Sequence, residues 1–402
     1  MGGSGGVNMR ILLIPPNDLL RHPIPNRMFH IAKRLAKRHE IFLLSYTKHP
    51  LTGDTPRRSF NGFEVQLGNV VKVRNLGLYY MFNTTQIYGA IRQVLSSEEI
   101  NVVLHANILP SLVAVKLAKS LGVPAVYDYL DYFPESASVY FTRGKWIVER
   151  GVWILTAKTL QNSTAVVVPS YGLRAVVREI VPSTPIYVIP NGVDTEFFKP
   201  MDRDSARRIL GLDLDYNIVL LQGSIDVWID VAEALKAIGR LQERYDVRVL
   251  IVGFSHGKQY FRQLLEYAKK FGLEKYIYRY PPQPYEKMPL FINASDLVYS
   301  PIVKKILNFA TPLKIAEALS CGIPVVATDI PEYKLWYRQG VYTYRNYEEL
   351  ERVLSWVLNN IEELRKNLRA YSDSFRERFS WDRLAQEYEL VLEMVRQRSK
   401  NH

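Results

Sequence analysis

The sequence predicts an α/β protein with two doubly wound parallel sheets. Its 402 residues exceed the roughly 250 to 300 that a single hydrophobic core usually serves. Short apolar runs bounded by Gly, Pro or Asp alternate with longer helical patterns, which is typical of repeated βαβ units. An extended run ends in a Pro-Asn-Gly turn within residues 188–194, and a new αβ series follows. We therefore predict domains over residues 9–190 and 191–378 and a final helix within 379–398.

Nine apolar runs predict the buried strands. They are residues 10–14, 41–46, 102–105, 125–128 and 165–169 in the first half, and 218–222, 247–252, 296–300 and 324–328 in the second. Ser380 can cap the final helix. That helix carries the apolar stripe Leu384, Tyr388, Val391 and Val395.

The segment between the first two strands predicts an amphipathic helix. Its apolar stripe is Met28, Ile31, Ala32 and Leu35, and its basic face is Lys33, Arg34, Lys37 and Arg38. Charged outer faces of helices are usually solvated, so we favour a solvated face over a contact with anionic lipid.

The bulk composition is that of an ordinary globular protein, with 48% hydrophobic and 23% charged residues. Cys321 is the only cysteine, which excludes an internal disulfide and favours a reducing, cytoplasmic setting. No run of apolar residues reaches the roughly 18 to 20 that cross a bilayer. The Gly-Ser run at residues 1–8 precedes the first strand, so we interpret it as a flexible leader and not as a phosphate-binding loop or signal peptide.

The positive charge is concentrated in the first half of the chain. Residues 1–190 carry 21 Lys and Arg against 11 Asp and Glu, and residues 191–402 carry 31 against 29, so the excess is +10 in the first half and +2 in the second. An anionic partner is therefore expected. Because the cations are dispersed and no nucleic-acid-binding motif accompanies them, we predict no nucleic acid and favour a membrane surface or a phosphate-bearing acceptor.

Two aromatic stretches, residues 78–82 and 145–155, allow two interpretations. Their large aromatic residues are Tyr79, Phe82, Trp146 and Trp153, and the nearby cations are Arg143, Lys145 and Arg150. Such a set suits a lipid-interface patch or a buried helix core. We favour the core.

The chemistry is expected at the carboxyl ends of the strands, where helix N-termini offer free N–H groups to phosphates. Gly223 and Ser224 follow a buried strand and allow a diphosphate to approach the backbone. Thr311 and Pro312 begin a helix with Lys314 in its first turn. Because a cation there opposes the helix dipole, Lys314 indicates a bound anion. Glu317 is either a partner of Lys314 or an acceptor for the hydroxyls of a ribose, which we favour.

Two segments carry a resemblance to a known family. VIPNGVDTEFF spans residues 188–198, and Pro312 to Thr328 matches the pattern P-x-K-x-x-E-A-x-x-x-G-x-P-V-V-A-T. The chain resembles the retaining glycosyltransferases of family four, often called group 1. Weaker agreement covers most of the chain. The resemblance implies a GT-B fold, with two Rossmann-like domains, an interdomain cleft and a C-terminal helix that crosses back to the N-terminal, acceptor domain.

In the C-terminal domain, the resemblance implies a nucleotide-sugar donor site. Lys314 would contact the diphosphate and Glu317 the ribose, and Thr311, Pro312 and Leu313 would offer backbone contacts to the sugar or phosphate. The base would be held by the segment after a strand that contains Tyr280, Pro281, Pro282 and Gln283.

In the N-terminal domain, the resemblance marks Asp128 and Asp131 as candidate catalytic carboxylates, together with His105. Either acid can take the proton of an acceptor hydroxyl, and we favour Asp131. The alternatives are helix capping or loop solvation for the acids and a core position for His105. Asn26 and Arg27 replace a Gly-Gly pair of many relatives. Arg27 either supplies charge to the diphosphate or ends a turn.

The chain also departs from the family pattern. Phe309 stands where relatives often carry Glu, and GSIDVWID at 223–230 lacks the usual Arg and Lys. Neutralisation of the diphosphate would then rest on Lys314, with Lys304, Lys305 and Arg27 as helpers. The pair Asp213 and Asp215 precedes a strand, so we interpret it as a loop and predict no metal and no other cofactor.

The predicted function is transfer of a hexosyl group from a UDP or GDP sugar to an acceptor hydroxyl, with retention of anomeric configuration. The acceptor would be a glycan or a lipid-linked molecule, reached in the cytoplasm or at the cytoplasmic face of an anionic membrane that the protein contacts peripherally. Two alternatives stay open: a nucleotide-sugar epimerase of similar build, and a non-catalytic subunit that binds a sugar nucleotide.

Overall fold

The computed structural model describes residues 8–400 except 23, 47–57, 74, 139–140, 142, 225–228, 230, 255–257, 303–308, 310 and 338. The chain divides into two compact units. Unit 1 consists of Met1–Pro190 and Trp381–His402, and unit 2 consists of Asn191–Ser380.

The described part of unit 1 contains a seven-stranded sheet in which every pair of neighbours is parallel. The strands are β1 (Arg10–Ile14), β2 (Glu40–Ser45), β3 (Phe63–Gln66), β4 (Val102–His105), β5 (Ala125–Asp128), β6 (Ala165–Val168) and β7 (Ile186–Val188). Their spatial order is β3-β2-β1-β4-β5-β6-β7. The order reverses between β1 and β4, as in a doubly wound Rossmann sheet.

The helices of unit 1 that precede residue 190 follow from apolar periodicity and local capping. They are α1 (Arg27–Leu35), α2 (Leu76–Phe82), α3 (Thr84–Ser97), α4 (Leu109–Ser120), α5 (Phe133–Ser138), α6 (Lys145–Asn162) and α7 (Tyr171–Ile180). The Asn26 side chain caps α1 by accepting from Phe29 N at 3.0 Å, and Ser170 caps α7 in the same way.

Unit 2 repeats the same sheet plan. Its described strands are β8 (Asn217–Ser224), β9 (Val247–Phe254), β10 (Ile277–Tyr280), β11 (Leu297–Ser300), β12 (Val325–Thr328) and β13 (Val341–Tyr344). They pair in parallel in the order β10-β9-β8-β11-β12-β13, so the order reverses between β8 and β11. The expectation of two doubly wound parallel sheets is confirmed.

The helices of unit 2 connect these strands and close the unit. They are α8 (Arg203–Leu210), α9 (Val231–Tyr245), α10 (Lys258–Lys270), α11 (Met288–Ala294), α12 (Leu313–Ser320), α13 (Pro331–Trp336), α14 (Tyr347–Asn359) and α15 (Ile361–Phe379). Short 3₁₀ turns occupy Glu274–Tyr276 and Tyr285–Lys287. The side chains of Val219, Leu235 and Val249 are among those that form a buried core.

The last helix, α16 (Trp381–Lys400), belongs to unit 1, as the sequence predicts for a helix that returns to the N-terminal domain. Its predicted stripe of Leu384, Tyr388, Val391 and Val395 is buried. It packs against α1, where the Trp381 ring stacks on the His30 ring with centroids 5.1 Å apart. The helix is thus an integral part of the unit 1 core.

The basic face of α1 is largely exposed and also forms ion pairs with α16. Arg34 Nη2 lies 2.9 Å from Asp382 of α16, and Arg38 Nη1 lies 3.0 Å from Glu389 of the same helix. Glu389 also accepts a 2.9 Å hydrogen bond from His39. Arg34 and Arg38 thus pair with acidic residues of α16, while Lys33, Lys37 and Arg38 are exposed, which matches the favoured interpretation of a solvated face.

Four described strands were not among the predicted apolar runs: β3, β7, β10 and β13. All four lie at the edges of the two sheets. Their residues are mostly half-buried or exposed, whereas every residue of β4, β5, β6, β11 and β12 is buried. A strand with less burial does not require a continuous apolar run, so its sequence signal is weak.

The stability of unit 1 provides a test of the α16 packing. Leu384 is 1% exposed and Leu390, on the same helix, is 58% exposed. We expect Leu384→Ala to lower the free energy of unfolding of unit 1 by about 2 to 5 kcal/mol, because the mutation leaves a core cavity. Leu390→Ala is the matched control and should lower the free energy of unfolding by less than about 0.5 kcal/mol. Urea unfolding followed by circular dichroism measures both, and equal effects would contradict the packing.

Candidate active site

The residues that are predicted to bind the sugar donor lie at the carboxyl edge of the unit 2 sheet. Sheets of this type bind ligands outside the carboxyl ends of the strands, at the point where the strand order reverses. Here that point lies between β8 and β11. Gly223 and Ser224 end β8, and α12 begins at Leu313, after the connection that leaves β11. Pro312 is in the N-cap position of α12.

Lys314 reaches from the first turn of α12 to the end of β8. Its Nζ donates a 3.3 Å hydrogen bond to the carbonyl oxygen of Gln222. Gly223 has a φ of +100°, and a Cβ at that position would lie 3.7 Å from the Lys314 ammonium nitrogen. The positive φ favours glycine here, and the 3.7 Å distance places the Lys314 ammonium in ordinary van der Waals contact with this position. Burial lowers the pKa of Lys314 to about 8, against the opposing effect of Glu317.

Glu317 lies one turn after Lys314 and is 8% exposed. Burial raises the pKa of Glu317 to about 7, although Lys314 and a hydrogen bond from the Tyr285 hydroxyl oppose the rise. The Tyr285 ring packs on the buried ring of Phe198, with centroids 5.1 Å apart. Phe198 and Tyr285 thus position Glu317, a role that was not predicted for either residue.

Asn191, in the Pro-Asn-Gly turn, supports the start of α12. Its Nδ2 donates a 2.7 Å hydrogen bond to the carbonyl oxygen of Thr311. An asparagine amide can bind a backbone group in this way without a charge. The turn that marks the domain boundary in the sequence therefore also holds the backbone beside Lys314.

Three buried polar side chains surround this edge without a hydrogen-bond partner among the described residues. They are the Gln222 amide, the Thr311 hydroxyl and the Ser300 hydroxyl. The register pairs Val298 with Leu220, so Ser300 and Gln222, each two residues further on, occupy matching positions on β11 and β8. Buried polar groups normally have partners, so this cluster indicates a place for a polar ligand. Gln222 was not predicted, although a glutamine at the end of an apolar strand is a usable signal.

The predicted base-binding loop follows β10. Pro281 and Pro282 are exposed, and Gln283 Nε2 donates to the Pro281 carbonyl at 3.0 Å. The Tyr280 hydroxyl donates to the Leu210 carbonyl at 2.7 Å, and its ring packs against Phe291. The Tyr280 side chain is thus used for packing within unit 2, and only its backbone and the following loop can serve a ligand.

Asp128 in unit 1 belongs to a buried ionic network. The Arg27 guanidinium Nε lies 3.2 Å from the Asp128 carboxylate and 2.7 Å from the Tyr388 hydroxyl of α16. Arg27 also donates to the carbonyl oxygens of Ile189 and Pro190, each at 2.7 Å. Burial raises the pKa of Asp128, with Arg27 opposing. Arg27 and Asp128 are thus paired inside unit 1, and the second carboxylate oxygen of Asp128 has no hydrogen-bond partner among the described residues. The diphosphate role of Arg27 and catalysis by Asp128 stay predictions.

Asp131 is partly exposed and lies just before α5. Its carboxylate accepts from Tyr132 N at 2.8 Å and from the Ser136 hydroxyl. Burial raises the pKa of Asp131, and these two hydrogen bonds oppose the rise. The hydrogen bond from Tyr132 N fits the capping alternative. The Asp131 side chain is nevertheless more exposed than that of Asp128.

His105 and Asn26 occupy structural positions. The His105 ring is fully buried and stacks on Tyr127 with centroids 4.7 Å apart. Burial lowers the pKa of His105 to about 3, so the ring is neutral near pH 7. Asn26 caps α1 and donates to Asn17 at 3.0 Å. These environments match the core alternative for His105 and make Asn26 the N-cap of α1.

The remaining predictions concern a metal site, the pair Asp213 and Asp215, and residues that the structure does not describe. The described residues contain no group of three or more His, Cys, Asp and Glu that could hold a metal ion. Asp213 and Asp215 are exposed and precede β8, as expected for a loop. Lys304, Lys305 and the Ser224 side chain lie outside what the structure describes.

Two descriptions of known families match the chain, one in each half. Residues 24–197 match the family described as Glycosyltransferase Family 4, and residues 202–375 match the family described as Glycosyl transferases group 1. The chain belongs to this glycosyltransferase family. In this glycosyltransferase Phe309, where the sequence predicts a departure from the family pattern, is partly buried before α12, and most of the segment 225–230 lies outside the described residues.

Curated relatives agree over part of the chain. A D-inositol 3-phosphate glycosyltransferase of Rhodococcus erythropolis is 32% identical over 162 residues, which are 39% of this chain and 36% of the relative. A protein of the same name from Mycobacterium leprae is 32% identical over 152 residues, which are 37% of this chain and 34% of the relative. The chain thus aligns with about a third of the length of these relatives.

Solved structures with the same fold cover nearly the whole chain. Sucrose-phosphate synthase from Thermosynechococcus elongatus has a TM-score of 0.77 at 16% identity and covers 96% of this chain and 99% of that one. HepE from Anabaena, in complex with UDP-glucose, has a TM-score of 0.69 at 16% identity and covers 96% of this chain and 100% of that one. The chain therefore has the GT-B fold.

Titration of Lys314 tests the electrostatics of this edge. We expect its ammonium group to titrate near pH 8 in the free protein, below the ordinary value of 10.5, because burial disfavours the charged form. Glu317→Gln should lower the pKa of Lys314 further, because it removes the carboxylate that raises it. NMR of labelled lysine side chains measures both, and Glu266→Gln on the exposed face of α10 is the control. An ordinary pKa for Lys314 would contradict the arrangement.

Proposed function

We propose that this glycosyltransferase moves a hexosyl group from a nucleoside diphosphate sugar, bound at the carboxyl edge of the unit 2 sheet, to an acceptor hydroxyl. The observation that carries the proposal is the position of Lys314, with its ammonium group beside Gly223 and Gln222 at the start of α12. A lysine in the first turn of a helix opposes the helix dipole. A bound diphosphate stabilises both the lysine and the helix terminus.

The chemistry of transfer explains why these groups would be needed together. The leaving nucleoside diphosphate gains negative charge as the glycosidic bond breaks, and fixed donors in a site with little water stabilise that charge best. Lys314 is charged below about pH 8 and can neutralise it. The unpartnered Gln222 amide and Thr311 hydroxyl supply uncharged donors to the phosphate or to the sugar hydroxyls.

Glu317 and the loop after β10 would hold the nucleoside. Tyr285 orients the Glu317 carboxylate, which can accept from the two hydroxyls of a ribose. Pro281, Pro282 and Gln283 would offer backbone contacts to the base. A UDP sugar is the preferred donor, because HepE of the same fold is known in complex with UDP-glucose.

We propose the general base, the stereochemistry and the acceptor from the family resemblance and from the different environments of Asp128 and Asp131. Asp131 is more accessible than Asp128, which is paired with Arg27, so we assign to Asp131 the proton of the acceptor hydroxyl. Transfer occurs with retention of anomeric configuration and without a metal. The acceptor is a glycan or a lipid-linked molecule. A cytoplasmic location remains a prediction from the single cysteine.

Nucleotide binding tests the donor site directly. We expect one of UDP, GDP, ADP and dTDP to stabilise the protein against thermal unfolding, by about 2.7 kcal/mol at a hundredfold its dissociation constant. Lys314→Ala should abolish the effect, because it removes the cation that faces the diphosphate. Lys366→Ala, at an exposed position of α15, is the matched control and should keep it. The absence of a shift with all four nucleotides would refute the donor site.

The role of Asp131 is tested by a contrast with Asp128. We expect Asp131→Asn to slow release of nucleoside diphosphate from the donor sugar by roughly 10² to 10⁴, because a general base is lost, while the nucleotide-induced thermal shift stays unchanged. Asp128→Asn should instead lower thermal stability, since it leaves Arg27 buried without its charge partner.

Two outcomes would contradict this assignment. Full activity of Asp131→Asn would remove the residue from the mechanism. Nucleotide binding by the wild type without any release from donor sugars would favour the non-catalytic alternative, and interconversion of donor sugars without an acceptor would favour an epimerase.

A further inference from the structure

Helix α6 exposes a stripe of large apolar residues. Trp146 is 71% exposed, Ile147 58%, Trp153 39% and Ile154 38%. Their spacings of one and seven residues place them on one side of the helix, and the intervening Arg150 is also exposed. The expectation that Trp146 and Trp153 form buried core is therefore wrong. The buried side of α6 consists of smaller residues and Leu160.

Helix α2 exposes a second stripe of the same kind. Leu78 is 43% exposed, Met81 62% and Phe82 58%, at spacings of three and four residues. Tyr79 and Tyr80 lie on the other side of α2 and belong to the buried core of unit 1. The prediction of a core position is thus confirmed for Tyr79 and wrong for Phe82.

The two stripes belong to one layer of unit 1. Both α2 and α6 pack against α4. An exposed apolar surface of this kind, formed by seven large side chains on two helices, is unusual for an isolated globular unit and marks an interaction site. We call these residues the apolar surface: Leu78, Met81, Phe82, Trp146, Ile147, Trp153 and Ile154.

Positive charge accompanies the apolar surface. Arg143, Lys145, Arg150 and Lys158 are exposed on α6 or immediately before it. The Arg150 guanidinium lies 5.4 Å from the centre of the Trp153 ring. Glu149 is the one acidic residue of α6, and it lies 3.8 Å from Lys145 and accepts from the Ser138 hydroxyl. The remaining cations thus face outward among apolar side chains.

We propose that the apolar surface and the cations of α6 dock this protein on an anionic lipid bilayer. Tryptophan beside Lys and Arg is the side-chain set that partitions into the headgroup region, where the rings enter the acyl boundary and the cations bind lipid phosphates. Contact with a second copy is disfavoured, because a symmetric interface would bring the Arg150 and Lys158 side chains towards their own copies. The proposal does not depend on the donor site.

Vesicle flotation of the full chain tests the docking. With vesicles of equimolar phosphatidylcholine and phosphatidylglycerol we expect the wild type to co-float, and with phosphatidylcholine alone we expect it to remain at the bottom of the gradient. The double variant Trp146→Ser, Trp153→Ser should lose co-flotation. Trp356→Ser, at a 50% exposed position of α14, is the matched control and should co-float like the wild type.

A second pair of variants separates charge from apolar contact. Arg150→Glu with Lys158→Glu should weaken binding to the anionic vesicles by roughly tenfold or more, because each cation near such a surface contributes to attraction. Lys269→Glu with Lys270→Glu, at exposed positions of α10, introduces the same change in net charge and should leave binding unchanged. The thermal unfolding temperature of each variant confirms that it is folded.

Three results would overturn the proposal. The first is a wild type that does not co-float with anionic vesicles. The second is a folded Trp146→Ser, Trp153→Ser variant that co-floats as well as the wild type. The third is a wild-type dimer that this variant converts to a monomer without any change in vesicle binding, since that would assign the apolar surface to contact between copies.

Discussion

The buried guanidinium of Arg27 connects the parts of unit 1 that are most distant in the sequence. It joins the start of α1 to Asp128 at the end of β5, to Tyr388 of α16 and to the carbonyl groups of Ile189 and Pro190. A buried charge is costly unless it is paired and hydrogen-bonded, so the removal of any of these partners would destabilise the unit. The positions of α16 and of the last residues before unit 2 are therefore both constrained by one side chain.

In unit 2 the two segments that carry the family resemblance form one physical assembly. Asn191 of the first segment binds the backbone before α12, and Phe198 packs beneath Tyr285, which orients Glu317 of the second. The first segment therefore helps to position residues of the second segment.

Burial determines how much of the structure the sequence predicts. The nine central strands lie in apolar surroundings and have clear patterns, whereas edge strands such as β3 and β13 do not. Lys314 is recognisable because a cation in the first turn of a helix is unusual, and Glu317 because it stands three residues later in the family pattern. The partners of Arg27 and the unpartnered state of the Gln222 amide cannot be recognised in the sequence, because they depend on contacts between residues far apart in the sequence. The exposure of Trp146 escapes prediction because periodicity does not distinguish a buried apolar stripe from an exposed one.

The division of the chain has a consequence for biosynthesis. Unit 2 is a continuous segment, Asn191–Ser380, inserted between two parts of unit 1. Because domains fold as they leave the ribosome, starting from the N-terminus, unit 1 begins to fold first but lacks α16 until unit 2 has been synthesised. The α1 cations and Arg27 then have no partners from α16, while unit 2 is already complete. Helix α16 therefore completes unit 1 only after all of unit 2 has been synthesised, and a chain interrupted before α16 leaves unit 1 exposed to chaperones and proteases.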